Sequence, residues 1–212
     1  MEHSQGTQFA KYNVLLPTVS DLTDTEFYMW YGNPNAYNTS IEAWQDMTGK
    51  QLTYNGNVKM AYNSTYGRRV GTFDGSGEYF NLSGQSDFAF GTDDFCIEIT
   101  FKKDTSGISE LYSSNPTNMS GAYIEIGTAT DNTLWVYLNS VYIITSSALT
   151  LGRIYKLKVL RSSGTTIKMY LDNILVGTYT NSTNLLNGAS RPLIGGYGYT
   201  PGSYCFGGTM LS

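Results

Sequence analysis

Apolar and polar residues alternate along Asp94–Phe101. A period of two places successive side chains on opposite faces of a β-strand. The residues that this pattern places on the apolar face are Phe95, Ile97, Ile99 and Phe101. We therefore predict a half-buried strand, with these four side chains facing the core.

Further short segments rich in apolar, β-branched and aromatic residues follow, separated by turn-forming residues. The segments predicted as strands are Ala122–Gly127, Thr133–Asn139, Tyr142–Thr145, Ile154–Arg161, Thr166–Asp172, Ile174–Thr180, Leu193–Gly195 and Tyr204–Leu211. Strands that recur about every 8–12 residues are typical of an all-β sandwich or barrel. One short helix is also predicted at Ile41–Asp46, capped by Ser40, although an irregular strand fits the same residues.

The composition favours the same fold class. Charged residues make up 14% of the 212 residues, well below the roughly 25% of an average globular chain. The chain is instead rich in uncharged polar residues and contains 23 Gly and 18 Tyr, which suit short strands and tight turns. The net charge of −4 argues against a nucleic-acid partner, because phosphate binding requires a basic surface.

The sequence shows no feature of export or membrane insertion. Its first residues lack the basic and then apolar regions of a signal peptide. No run of about 18 apolar residues occurs that could span a membrane. We therefore expect a protein that is made in a cytoplasm and is not inserted into a membrane.

Five segments, in the correct order, resemble the laminin-G-like domains of the concanavalin A-like lectin and glucanase superfamily. Val70–Phe80 is similar to the family's FDGxGDYL strand, and Asp87–Ile99 to its DFxFGTGDFTIEFWV segment. Trp44–Gly49 resembles the WxDxSGxG segment upstream. Gly152–Arg161 and Ile167–Val176 resemble the GxWYHVAVVR strand and the LKLYLNGxLV hairpin. The resemblance covers roughly residues 27–210.

The resemblance implies a two-sheet antiparallel jelly-roll sandwich over residues 27–212. Residues 1–26 precede it and are expected to form an N-terminal arm, with room for one extra strand. Gly75 and Gly77 are predicted to adopt positive φ in a tight turn, as is Asn173 in the Asp172–Asn173 turn. The family's closing segment is shortened here to Phe206–Ser212, which predicts a short last strand and an open sheet edge for a neighbouring chain.

The superfamily also contains glucanases that use two glutamates on one strand. Retaining hydrolysis requires two carboxyl groups about 5–5.5 Å apart. Glu98 and Glu125 are each followed by two uncharged residues, so that neither forms such a pair along its strand. His3 is the sole histidine, which argues against a His-dependent triad. We therefore predict that the protein is not an enzyme, with Glu98 and Glu125 as solvated strand positions.

We expect no cofactor, and a calcium ion is the one exception that the sequence leaves open. Asp74, Asp93 and Asp94 lie in loops and could supply the oxygen ligands that calcium prefers, as they do at the rim of some laminin-G-like domains. The favoured alternative is that Asp74 and Asp94 accept hydrogen bonds from turn backbone N–H groups. The two cysteines, Cys96 and Cys205, are expected to be reduced and partly buried, with a bridge as the alternative.

Aromatic residues are the candidate binding groups, since aromatic rings fill partner pockets and stack on sugars. The glycine-rich segment 195–204 carries Tyr197, Tyr199 and Tyr204. A second loop-rich region carries Tyr37, Trp44 and Tyr54. In the N-terminal arm, Phe9 and Tyr12 are candidate anchors for docking onto a partner.

The resemblance favours a virion surface protein, because laminin-G-like domains occur in structural proteins of tailed phages. The leading hypothesis is a non-enzymatic capsid decoration protein that is made in the host cytoplasm and binds the major capsid protein. A homo-oligomer such as a trimer, and weak adhesion to host-surface glycans, are expected alongside. The alternative is a carbohydrate-binding lectin module of a secreted or tail-fibre protein.

Overall fold

The computed structural model describes residues 53–82, 88–116, 122–187 and 191–211. These residues form two antiparallel sheets of seven strands each. In sheet order, the first consists of β1 (Thr53–Asn55), β4 (Tyr79–Asn81), β13 (Leu193–Ile194), β6 (Ser109–Ser113), β7 (Ile124–Thr128), β8 (Thr133–Leu138) and β9 (Val141–Ala148). The second consists of β12 (Ile174–Thr180), β11 (Thr166–Leu171), β10 (Ile154–Ser162), β5 (Phe95–Lys103), β14 (Gly207–Leu211), β3 (Arg68–Asp74) and β2 (Lys59–Asn63).

This architecture confirms the predicted all-β, two-sheet antiparallel sandwich. The described ranges contain no helix, and hence none that is long and apolar enough to cross a membrane. The predicted short helix and the N-terminal arm lie outside the described residues.

Strand β5 lies at the centre of the second sheet and has the register that its alternation predicts. Phe95, Ile97 and Phe101 are buried in the core, and Ile99 is partly buried against the same cluster. The core also contains the apolar face of the first sheet, including Leu134 on β8. The apolar faces of the two sheets therefore pack together, as in other sandwiches.

Two predicted turns are present. Asp172 and Asn173, between β11 and β12, both adopt positive φ, at 51° and 67°. This is the conformation of a two-residue hairpin turn whose twist matches that of the strands. Gly75 and Gly77 have φ of 88° and 71° in the loop between β3 and β4.

The prediction of an open edge at the C-terminus is wrong. Strand β14 pairs with β5 on one side and with β3 on the other. The edges of the second sheet are instead β12 and β2. The last strand is short, but it is inserted between two strands from earlier in the sequence, so that its own backbone leaves no edge for a neighbour.

Arg161 on β10 is a fully buried cation that fastens the loop preceding β5. Its guanidinium donates hydrogen bonds to the carbonyls of Gly91 at 2.7 Å, Asp93 at 2.5–2.8 Å and Thr183 at 3.0 Å. Its carbon atom Cζ also lies 5.3 Å from the centre of the Phe95 ring. The burial is offset because carbonyl acceptors surround the planar donor group.

Both cysteines are free thiols. Cys205 is buried, as expected, but Cys96 is exposed, because the alternation of β5 turns it away from the core. Burial raises the pKa of the Cys205 thiol, and partial desolvation together with the neighbouring Glu98 raises that of Cys96.

Candidate functional site

A small pocket lies on the face of the first sheet that points away from the core. On β8, Leu134, Val136 and Leu138 point into the core, so that Trp135 and Tyr137 lie on the opposite face. The cavity has a volume of about 150 Å³. The residues that line it are Ile108, Glu110, Glu125, Trp135, Tyr137, Tyr142, Tyr197 and Tyr204. We call it the aromatic pocket.

Three aromatic rings from β8 and β9 form one wall of the pocket. The centres of the Trp135 and Tyr142 rings are 5.4 Å apart, at an angle of 77°. Those of Tyr137 and Tyr142 are 4.8 Å apart, at 62°. Such edge-to-face contacts stabilise the cluster beyond the area it buries. Trp135 is almost fully buried, whereas Tyr142 is 62% exposed and can be reached by a ligand.

The position of the Trp135 ring depends on Gly127, which is opposite it on β7. A Cβ atom at position 127 would lie 2.6 Å from Cζ2 of Trp135 and 2.5 Å from the carbonyl oxygen of Ser109. Both distances are shorter than van der Waals contact allows for the atoms concerned. Glycine is therefore required for the indole to occupy this place.

Strand β6 contributes Glu110 to the pocket because it contains a β-bulge. Glu110 is opposite Gly127 and Tyr112 is opposite Ile126, so that Leu111 is the extra residue. Leu111 and Tyr112 both pack in the core. As a result Glu110 and Ser113, three residues apart, face the pocket side together. Bulges commonly redirect a side chain in this way next to functional sites.

Glu110 and Glu125 are the two acidic residues that line the pocket. They lie on neighbouring strands at diagonal positions, which in an antiparallel pair are about 7–8 Å apart between Cα atoms. Both are buried, at 2% and 3% exposure. Burial, and secondly the charge of Glu125, raises the pKa of Glu110 well above its usual range. Burial also raises the pKa of Glu125, although hydrogen bonds from Asn115 and Ser113 oppose the shift.

The two carboxyl groups differ in their hydrogen bonds. Oε1 of Glu125 accepts from the Ser113 hydroxyl and from the Asn115 side-chain amide, each at 3.0 Å. Oε2 of Glu110 is buried and has no hydrogen-bond partner in the described part of the chain. Glu125 is therefore held in place, and Glu110 keeps an acceptor atom available.

The second wall of the pocket belongs to the loop of residues 195–206, which joins β13 to β14 and which we call the tyrosine loop. The ring centres of Tyr197 and Tyr204 in this loop are 5.2 Å apart. The backbone N–H of Gly198 donates to the Ser113 hydroxyl at 3.0 Å, and that of Glu110 donates to the Tyr204 carbonyl at 2.8 Å. The loop is thus fastened to β6 beside both carboxylates.

The sequence profile of a laminin-G-like family, described as the concanavalin A-like lectin/glucanases superfamily, matches residues 73–210. The match covers more than half of the chain. The protein belongs to this superfamily. No curated protein matches the chain.

Solved structures of this superfamily's fold are similar to the chain at low sequence identity. Domain 4 of an extracellular arabinanase from Geobacillus stearothermophilus, in complex with arabinotriose, has a TM-score of 0.57 and 15% identity, covering 80% of this chain and 84% of that one. The CBM40 of a Ruminococcus gnavus sialidase, bound to α2,3-sialyllactose, has a TM-score of 0.50 and 12% identity, covering 76% and 89%. Domains LG4-5 of the mouse laminin α1 chain have a TM-score of 0.53 and 17% identity, covering 77% and 40%. At these identities the similarity establishes the fold.

The tyrosines that were predicted as binding groups lie in different surroundings in the structure. Tyr197 and Tyr204 line the aromatic pocket, and Tyr199 lies beside Tyr197 with ring centres 6.1 Å apart. Tyr54 on β1 instead packs against the core, edge-to-face with Phe80 at 5.3 Å. The other predicted binding and docking residues, Tyr37, Trp44, Phe9 and Tyr12, lie outside the described residues.

The three aspartates predicted as calcium ligands are not brought together. Within the described ranges, no group of three or more acidic, histidine or cysteine residues could hold a metal ion. The Asp74 carboxylate accepts from the backbone N–H of Ser76 at 2.7 Å. The Asp94 carboxylate accepts from the N–H groups of Ser163 and Gly164, at 3.1 and 2.7 Å. These are the turn contacts of the alternative interpretation, and calcium binding stays a prediction.

The larger part of the pocket was not predicted. Glu125 is buried rather than solvated, because the tyrosine loop and the rings of β8 cover its strand. The prediction that it is a solvated position is therefore wrong. One signal was available in the Thr133–Leu138 strand, where aromatic residues alternate with aliphatic ones. Leu134, Val136 and Leu138 already form a complete core face. The large rings of Trp135 and Tyr137 on the other face of this strand therefore indicate that this face is covered as well.

Proposed function

We propose that the protein is a non-catalytic carbohydrate-binding module, and that the aromatic pocket is its saccharide site. The observation that carries the proposal is the convergence of five aromatic rings from two strands and a loop on one cavity beside polar acceptors. Sugars present apolar C–H faces and polar hydroxyl edges, and a site for them needs both ring faces and hydrogen-bonding groups. The similar structures solved with arabinotriose and with sialyllactose support the proposal.

The size of the pocket favours one sugar residue as the occupant. Its volume of about 150 Å³ is below the range of roughly 300–1,000 Å³ that is usual for sites of drug-sized ligands. The exposed Tyr142 and Tyr204 at its mouth can contact further residues of a chain. We therefore expect binding to a terminal or single sugar unit, with weaker contacts beyond it.

Glycoside hydrolysis is the second candidate, and the Glu110–Glu125 pair favours it. A retaining hydrolase needs one protonated and one ionised carboxyl group on either side of the scissile bond. The raised pKa of Glu110, beside a hydrogen-bonded Glu125, resembles that division of roles. Binding remains the better supported function, because the cavity holds about one sugar residue and hydrolysis requires one on each side of the bond.

A place on a virion surface, with a capsid protein or a host glycan as partner, stays a prediction from the sequence. The residues expected to dock, Phe9 and Tyr12, lie outside the described ranges. Deletion of residues 1–12 tests this setting: we expect less incorporation into particles at an unchanged melting temperature. Unaltered incorporation would remove the arm from the proposal without affecting the pocket.

A glycan array probed with the purified protein tests the proposed function. We expect a signal on a restricted group of saccharides that the same free saccharide competes away. The absence of any competed signal would contradict the proposal. The reducing ends released from each bound saccharide are measured in parallel, and turnover that disappears in Glu110→Gln would show that the second candidate is right.

A further inference from the structure

The aromatic pocket contains two buried carboxyl groups and no cation to compensate them. Two of its eight lining residues, Glu110 and Glu125, are acidic, and within the described ranges neither Lys nor Arg lines it. A buried acid in a protein is ordinarily paired with a cation, bound to a metal or kept protonated. The described residues nevertheless offer no group that could hold a metal ion here. A ligand that brings a cation into the cavity would allow both groups to ionise.

Glu110 shows where such a partner would bind. Its side chain is 2% exposed and lines the pocket, and its Oε2 atom is buried without a hydrogen-bond partner in the described part of the chain. Burial of an acceptor that forms no hydrogen bond is costly, unless a ligand supplies the donor. Glu125, by contrast, already accepts two hydrogen bonds. The donor is therefore expected on the Glu110 side of the cavity.

The rings around the acids favour a positive charge on that donor. The face of an aromatic ring is negative and attracts ammonium groups, most strongly for tryptophan and where water is excluded. Trp135, Tyr137 and Tyr142 from the sheet, and Tyr197 and Tyr204 from the tyrosine loop, line the same cavity as the two acids. Carboxyl groups together with aromatic rings in one cavity are the arrangement that recognises organic ammonium groups.

We propose that the aromatic pocket selects a sugar residue that carries a free, protonated amino group, such as a 2-amino-2-deoxy monosaccharide, over its neutral counterparts. This inference rests on the proposed carbohydrate-binding function and specifies its ligand class. The sugar ring stacks on the aromatic walls, and the ammonium group donates to Oε2 of Glu110 while it separates the two carboxyl groups. The same contact favours the ionised form of Glu110, which burial and, secondly, the charge of Glu125 disfavour in the free protein.

The test uses monosaccharides, because the cavity holds about one sugar residue. Glucosamine and galactosamine are titrated into the protein, followed by glucose, galactose and the two N-acetylated amino sugars, with ligand-observed NMR or calorimetry as the readout. We expect each amino sugar to bind at least ten-fold more tightly than its two neutral counterparts. Glu110→Gln keeps the shape of the side chain and removes its ability to ionise, and we expect it to reduce this preference to less than three-fold.

Glu98→Gln is the matched control. It removes one carboxylate from β5 in the other sheet, where Glu98 is exposed and pairs with Lys158. It makes the same chemical change away from the pocket, so we expect it to retain the preference for amino sugars. If the neutral sugars bind as tightly as the amino sugars, the inference is wrong and the proposed function stands. If no amino sugar binds, the inference is also wrong, and the glycan array alone decides the proposed function.

Discussion

The indole of Trp135 occupies the space that a side chain at position 127 would fill, because Gly127 lies opposite it on the neighbouring strand. This relationship predicts the effect of the smallest substitution. In Gly127→Ala the new methyl group would lie 2.6 Å from the ring and 2.5 Å from the Ser109 carbonyl oxygen. Overpacking of this kind typically costs about 1–3 kcal/mol. We expect urea unfolding to show a loss of that size, together with weaker saccharide binding.

A Gly127→Ala variant with wild-type stability and wild-type affinity would contradict the close packing of Trp135 against β7. A stable variant with reduced affinity would instead show that the ring has moved without unfolding the sheet. A loss of stability or a loss of affinity would each be consistent with a requirement for glycine at position 127.

Ile97 tests the register of the sandwich. Its side chain is buried in the core on β5, and removal of such a side chain to Ala costs about 2–5 kcal/mol. The matched control is Ile174→Ala on the edge strand β12, where the side chain is 71% exposed. We expect the control to change the free energy of unfolding by less than about 0.5 kcal/mol. Equal effects of the two substitutions would show that the assigned register is wrong.

The buried carboxyl group of Glu110 makes stability depend on pH. Its pKa in the folded protein is raised by burial and by Glu125, so the folded state holds this proton more tightly than the unfolded state. This contribution is full below the ordinary carboxyl pKa, near 4.5, and is lost as the pH rises through the folded pKa. We expect thermal unfolding between about pH 5 and 8 to show a decline with rising pH that is smaller in Glu110→Gln. The same decline in both proteins would exclude Glu110 as its source.

Removal of the buried cation Arg161 is predicted to lower the free energy of unfolding substantially. In Arg161→Met the carbonyls of Gly91, Asp93 and Thr183 lose their donor. Since an unsatisfied buried acceptor costs about 1–3 kcal/mol, we expect a total loss of roughly 3 kcal/mol or more in denaturant unfolding. Arg153→Met is the control, because Arg153 is exposed and its ion pair with Asp172 contributes at most about 1 kcal/mol. A loss no larger than that of the control would show that these carbonyls find other donors.

The parts of the fold that follow from local rules could be predicted from the sequence. The alternation in β5 gives its register, and the Asp172–Asn173 pair gives its turn, because each depends on residues that are close in sequence. The place of β14 could not be predicted in this way. Its position between β5 and β3 is decided by pairing with strands more than a hundred residues earlier, so the length of the last strand does not reveal whether it lies at an edge.

Only the part of the candidate site that lies in the tyrosine loop was predicted from the sequence. Tyr197 and Tyr204 were found because glycine-rich loops with aromatic residues are recognisable along the sequence. Glu110 was missed, since the bulge at Leu111 breaks the period of two that identifies a strand. Glu110 and Glu125 lie on two neighbouring strands, so a search for two carboxylates along one strand cannot detect them as a pair.

Calorimetric titration of a saccharide from the array shows whether the aromatic pocket is the binding site. Three proteins are compared: the wild type, Tyr142→Ala and Tyr62→Ala. Tyr142 lines the pocket and is 62% exposed, whereas Tyr62 is 68% exposed on β2 of the other sheet and is the matched control. We predict that Tyr142→Ala weakens binding about ten-fold or more, equivalent to about 1.4 kcal/mol, and that Tyr62→Ala binds as the wild type does. Unchanged affinity in Tyr142→Ala, with or without a loss in Tyr62→Ala, would contradict the claim.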